Sequence, residues 1–119
     1  MAAGRLLVLA AALGPVLACG GDEPSATCAM IVPTACMPPA PSYAAEVSGI
    51  VARHCQPCHR PGGEEAKRPL TTYSQVSKAG IDVLFQVSRC KMPPAGEPRL
   101  SADETAALFA WLVCDAPNN

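Results

Sequence analysis

Tyr43, Val47, Ile50, Val51 and His54 recur at three- and four-residue intervals, so a helix beginning after Pro41 has one apolar face and leads directly into Cys55. Ser42 is placed to cap that helix, and Glu46 sits near its start, where a carboxylate suits the helix dipole. Pro61-Gly62-Gly63 stops the helical stretch. The charged run that follows, from residue 64, predicts an exposed loop that returns to the core at Pro69-Leu70. Thr72 and Gln75 have the spacing of a capping box, with Val76 as the first apolar contact of a second helix that Gly80 interrupts. Val83, Leu84 and Val87 mark a short third helix over residues 81–88. Two consecutive prolines cannot continue a helix, so Cys90-Lys91-Met92-Pro93-Pro94 opens a rigid loop that runs to Leu100. Ser101 and Glu104 form a second capping box, and Leu108, Trp111 and Leu112 are the apolar stripe of a last helix ending near residues 114–116. Neither an internal repeat nor an alternating run of strand type is present. The fold expected is all-α.

Ahead of residue 42 the pattern changes twice. Arg5 followed by an apolar stretch over residues 6–17 has the form of a targeting segment, too short to span a bilayer as a stable helix. Val16-Leu17-Ala18-Cys19 resembles the bacterial lipobox, in which the cysteine becomes the acylated first residue of the mature chain. The expectation is a signal peptide over residues 1–18 and a protein exported to the periplasmic face of a bacterial membrane, held by lipid on Cys19. Gly20 stands after Cys19 where an Asp would favour the inner membrane, which leans toward the outer one. From 19 to 41 the chain is dense in Pro and small residues and lacks helical periodicity, so it is expected to be a semi-extended tether to a domain spanning 42–119.

Composition narrows the function. With 119 residues the chain has room for one small domain, and two Phe, two Tyr and one Trp are thin material for its core. Loss of Arg5 with the leader leaves eight basic side chains against ten acidic ones, a formal charge of −2. No basic patch supports nucleic-acid binding or strong positive steering of a partner.

The chemistry concentrates in Cys55-Gln56-Pro57-Cys58-His59, the Cys-x-x-Cys-His pattern of covalent haem attachment. Two thiols three positions apart lie on the same side of a helical turn and can form thioethers with the vinyl groups of one porphyrin. His59 then supplies one axial bond to the iron. A thioredoxin-like dithiol would want a βαβ context that this sequence lacks. A zinc site would want a second close ligand pair, but the remaining cysteines are dispersed and the only other histidine is His54. His54 stands five residues before His59 on the attaching helix, too close to reach the opposite haem face, and reads as a helix-surface or pocket-edge residue. The soft thioether of Met92 is the better second ligand, with Met30 and Met37 as remote alternatives.

A helix carrying Cys-x-x-Cys-His at its end, short middle helices, a Met-Pro-Pro loop and a capped terminal helix with Trp in its stripe together resemble a small class I type cytochrome c domain. The resemblance covers residues 42–116. It implies one haem c fixed by Cys55 and Cys58, His59 as proximal ligand, Met92 as distal ligand, and Pro69 offering a backbone carbonyl to the proximal imidazole. Such a domain carries single electrons and docks transiently, as a monomer, on redox partner proteins. It is not an enzyme. The alternative is a haem enzyme or sensor, a small peroxidase or gas-binding module whose sixth ligand is labile. Cys90 and Cys114 depart from the family pattern and suggest disulfides that its simplest members lack.

Seven cysteines divide into one for lipid, two for haem and four for two disulfides. Cys28, Cys36, Cys90 and Cys114 allow three pairings. Locality favours Cys28–Cys36 within the tether and Cys90–Cys114 between the Met loop and the last helix, where it would restrain Met92.

Overall fold

A computed structural model describes residues 30–119, and within them the chain is helical with no strand. A single π-helical turn, Tyr43–Val47, runs without a break into α1, Ser48–His54. Then come α2, Tyr73–Lys78, α3, Gly80–Ser88, and α4, Ala102–Val113. Among the described residues no helix is long and apolar enough to cross a membrane.

The first helical turn, α2 and α4 start where their capping side chains lie, whereas α3 starts without a side-chain cap. The Ser42 hydroxyl accepts from the Ala45 amide at 3.1 Å, while Ser42 N–H donates to Glu46 Oε2 at 2.8 Å. In the π turn, Val47 N–H reaches back five residues to the Ser42 carbonyl, at 3.1 Å. Thr72 with Gln75 and Ser101 with Glu104 are complete capping boxes, each side chain bonding the other residue's amide. The break between α2 and α3 falls at Ala79 (φ −82, ψ 1), and Gly80 is the first residue of α3. Gly80 therefore does not end α2. A Cβ there would stand 3.2 Å from Leu112 Cδ2, so the missing side chain lets α3 approach α4 closely.

Val47, Ile50 and Val51 turn inward from the first helical segment to meet Leu70, Val76 of α2, Val87 of α3 and Leu108, Phe109 and Trp111 of α4. The buried face of α4 is wider than its predicted stripe: Phe109 is fully buried, while Leu112 is half-buried. Tyr43 and Tyr73 pack on Trp111 with ring centroids 5.4 and 6.3 Å away. Past α4 the chain folds back over this cluster. Trp111 Nε1–H donates to the Pro117 carbonyl at 2.9 Å, and the Tyr73 hydroxyl donates to the Ala116 carbonyl at 2.8 Å. Asn119 then caps the first helical turn, its carbonyl accepting from Ser42 Oγ and the Ala44 amide at 2.8 and 3.0 Å.

That closure explains where the disulfide pairing by locality fails. Cys36 is bonded to Cys114, with a Cα–Cα distance of 4.7 Å and a sequence separation of 78. Neither Cys28–Cys36 nor Cys90–Cys114 can then form. Cys90 is also disulfide-bonded, to a partner outside the described residues, where Cys19 and Cys28 also lie. Loop-closure entropy grows only with the logarithm of loop length, so nearness in sequence is weak guidance once the fold brings distant segments together. From Met30 onward the expected tether is fastened down: Met30 and Val32 pack against the core, and Cys36 is cross-linked to the residue that ends α4.

Candidate functional site

The first helix, α1, ends at His54, before Cys55 and well ahead of Pro61-Gly62-Gly63, so the Cys-x-x-Cys-His segment does not ride the helix as expected but follows it as an irregular turn. The amides of Cys55 and Gln56 both donate to the Val51 carbonyl, at 2.9 and 3.0 Å, and His59 N–H closes on the Cys55 carbonyl at 2.9 Å. The loop after it doubles back. Glu65 N–H donates to the Cys58 carbonyl at 3.0 Å, Leu70 N–H to the His59 carbonyl at 2.9 Å, and Gln56 Nε2–H to the Leu70 carbonyl at 3.3 Å. A Cβ on Gly63 would collide with the Cys58 carbonyl oxygen, so only glycine lets the loop lie this close to the motif.

His59 is oriented by this loop. Its Nδ1–H donates to the Arg68 carbonyl at 2.8 Å. Because a carbonyl can only accept, Nδ1 carries a proton, and in the neutral ring Nε2 keeps its electron pair, the form a metal takes. The carbonyl belongs to Arg68, one residue before the expected Pro69. Pro69 instead lines the cavity beside the motif.

That cavity has a volume of about 880 Å³, within the range of small-molecule and cofactor sites. Cys55, Cys58 and His59 line it from the end of α1, Met92 from the loop between α3 and α4, and Leu70, Val87, Leu100 and Leu108 supply apolar wall. Met30 packs on the core elsewhere and Met37 is exposed, so neither borders the cavity. The residues fit a haem. Two thiols adjoin a histidine whose Nδ1 is bonded to a carbonyl, and Met92, which carries a soft thioether, lines the same space. Burial pushes the Cys55 thiol up to about 11, so it stays protonated at neutral pH. A reactive redox dithiol needs the opposite shift. Among the described residues no group of three or more His, Cys, Asp or Glu side chains could hold a metal ion.

Met92 is held through its backbone. Lys91 and Met92 N–H both donate to the Gln86 carbonyl near the end of α3, at 2.9 and 3.1 Å, and the Cys90 amide donates to the Val87 carbonyl at 3.0 Å. Beyond Met92, Arg99 Nη1 donates to the carbonyls of Pro93 and Cys90, at 2.7 and 3.2 Å.

His54 sits at the cavity edge with a side chain only 10 % exposed. Its Nε2–H donates to Glu104 Oε2 at 3.0 Å, and Nδ1 lies 3.3 Å from the Pro98 carbonyl. Glu104 collects three partners. Ser101 N–H and Arg53 Nη2 each donate to it at 2.8 Å, and His54 is the third. The Ser101 amide first, then Arg53 and His54, hold its carboxyl down at about 2. One carboxylate thus caps α4 and ties it to the end of α1, just before the cavity motif.

Arg68, Arg99 and this use of Glu104 were not legible in the sequence. A backbone acceptor has no residue signature, and both Arg99 contacts depend on how the Met92 loop turns. Glu104 was visible only as a cap. No known family model matches the chain, and neither a curated protein nor a solved structure matches it.

Proposed function

We infer that this chain is an exported, membrane-tethered monohaem c-type cytochrome that passes single electrons between redox proteins. The observation carrying this reading is that Cys55, Cys58 and His59 just after the first helix and Met92 in the loop before the last one border one cavity of cofactor size. On this reading the all-α arrangement around the cavity would be that of a small class I type cytochrome c domain.

A haem bound here supplies a one-electron iron couple, and the residues around it do the rest. Cys55 and Cys58 would hold it covalently, so it would not be lost on dilution. His59, its ring oriented by the Arg68 carbonyl, and Met92 would hold the iron. Thioether ligation favours the reduced iron and so holds the potential high. Leu70, Val87, Leu100 and Leu108 would give the group an apolar wall on one part of the cavity. With His59 and Met92 both holding the group, the domain would transfer electrons and would not turn over a small molecule. Partners dock transiently on the protein, and lipid on Cys19 keeps it at the periplasmic face of a bacterial membrane.

Absorption spectroscopy tests the ligand set. The ferric protein is expected to show the far-red sulfur-to-iron charge-transfer band, and Met92→Ala to abolish it and admit exogenous ligands. Rapid carbon monoxide binding by the reduced wild type, with no such band when oxidised, would instead assign a haem enzyme or sensor.

A further inference from the structure

We propose that Arg99 is a positioning residue that keeps the Met92 sulfur at the cavity by bracing the two ends of its loop. The inference rests on the His59/Met92 reading above and adds a residue to it. Before Met92 the loop is secured by amides, since Cys90, Lys91 and Met92 all donate to carbonyls of α3. After Met92 that means of attachment is lost, because Pro93 and Pro94 have no N–H to donate. Pro93 and Pro94 themselves can be held only through their carbonyls; Pro94 accepts from Glu97 N–H at 3.1 Å, and Pro93 needs a donor from further along the chain.

Arg99 is that donor. Its Nη1 spans the Pro93 carbonyl at 2.7 Å and the Cys90 carbonyl at 3.2 Å, so a single nitrogen joins the residue just after Met92 to the residue two before it. The guanidinium is always charged, which strengthens both bonds relative to neutral donors. Among the described residues it makes no ion pair that would draw it away. Pro93 is itself buried, so its carbonyl has little recourse to water if the donor is removed. Of the two axial bonds, the thioether is the one carried by this loop. Freedom in the loop therefore appears first as loss of sulfur from the iron, ahead of any general unfolding.

Imidazole titration of the ferric holoprotein, read with the far-red band and far-UV circular dichroism, tests the brace. Arg99→Ala is expected to weaken the band and to tighten imidazole binding by about tenfold, the equivalent of one charge-assisted hydrogen bond. Arg99→Lys keeps a charged donor within reach of both carbonyls and is expected to recover most of the wild-type behaviour. Arg99→Met keeps an apolar stem without any donor, so it serves where the alanine variant does not accumulate folded. Wild-type band intensity and imidazole affinity in a folded Ala or Met variant would overturn the brace while leaving Met92 ligation intact. A wild-type protein with no band and ready imidazole binding would refute Met92 ligation, and the brace with it.

Discussion

Replacing Glu104 by Gln removes one charge while preserving the shape of the cap, since an amide oxygen can still accept from the Ser101 N–H. The carboxyl is held down at about 2 from an ordinary value of 4.5. A folded-state value below the unfolded one means the ionised form stabilises the fold. That contribution is complete above pH 4.5 and is lost as pH falls toward 2. At about 1.4 kcal/mol per pH unit the shift corresponds to at most about 3 kcal/mol. Arg53, the second largest cause, has a side chain 60 % exposed, so solvent screening reduces the expected figure to about 1–2 kcal/mol. Urea unfolding followed by far-UV circular dichroism at a series of pH values measures it. Glu104→Gln should be less stable than wild type by about 1–2 kcal/mol at pH 7, and the gap should close between pH 4.5 and 2. A gap that persists unchanged at pH 2 would refute the charge-based account. Equal stability at pH 7 would show that the link between α1 and α4 contributes nothing.

Non-reducing peptide mapping is expected to recover the Cys36 and Cys114 peptides cross-linked. Because that bond closes a loop of 78 residues, Cys36→Ser with Cys114→Ser should lower stability by up to about 4 kcal/mol in thermal or urea unfolding. Free thiols at both positions in the native protein would refute the pairing. Cells producing the full chain should yield a membrane-bound, acylated form that Cys19→Ser abolishes. Native mature protein recovered unacylated in the soluble fraction would contradict the anchor without touching the haem site.

How far the sequence could be read depended on the range of the interaction. Ser42, the Thr72/Gln75 box and the Ser101/Glu104 box act within four residues, and each is found where its spacing places it. The helix positions followed from them and from the apolar repeat of Val47, Ile50, Val51 and His54. Cys36–Cys114 depends on the path of two chain segments that meet beside α4, and no local pattern encodes that meeting. The acceptor for His59 moved by one residue, from Pro69 to Arg68, because a loop's curvature decides which carbonyl faces the ring. Gly80 was read as a breaker although it serves the close approach of Leu112. Cys55, Cys58, His59 and Met92 were legible as chemistry because few other functions require that combination. Their convergence on one cavity belongs to the three-dimensional structure.

Covalent attachment of haem to Cys55 and Cys58 is the central claim, and one measurement on protein made with a cytochrome c maturation system tests it most directly. After acid–organic extraction under denaturing conditions the polypeptide should keep its colour, and its intact mass should exceed that of the bare chain by one haem. Haem that extracts freely, or a polypeptide at its unmodified mass, would contradict the account.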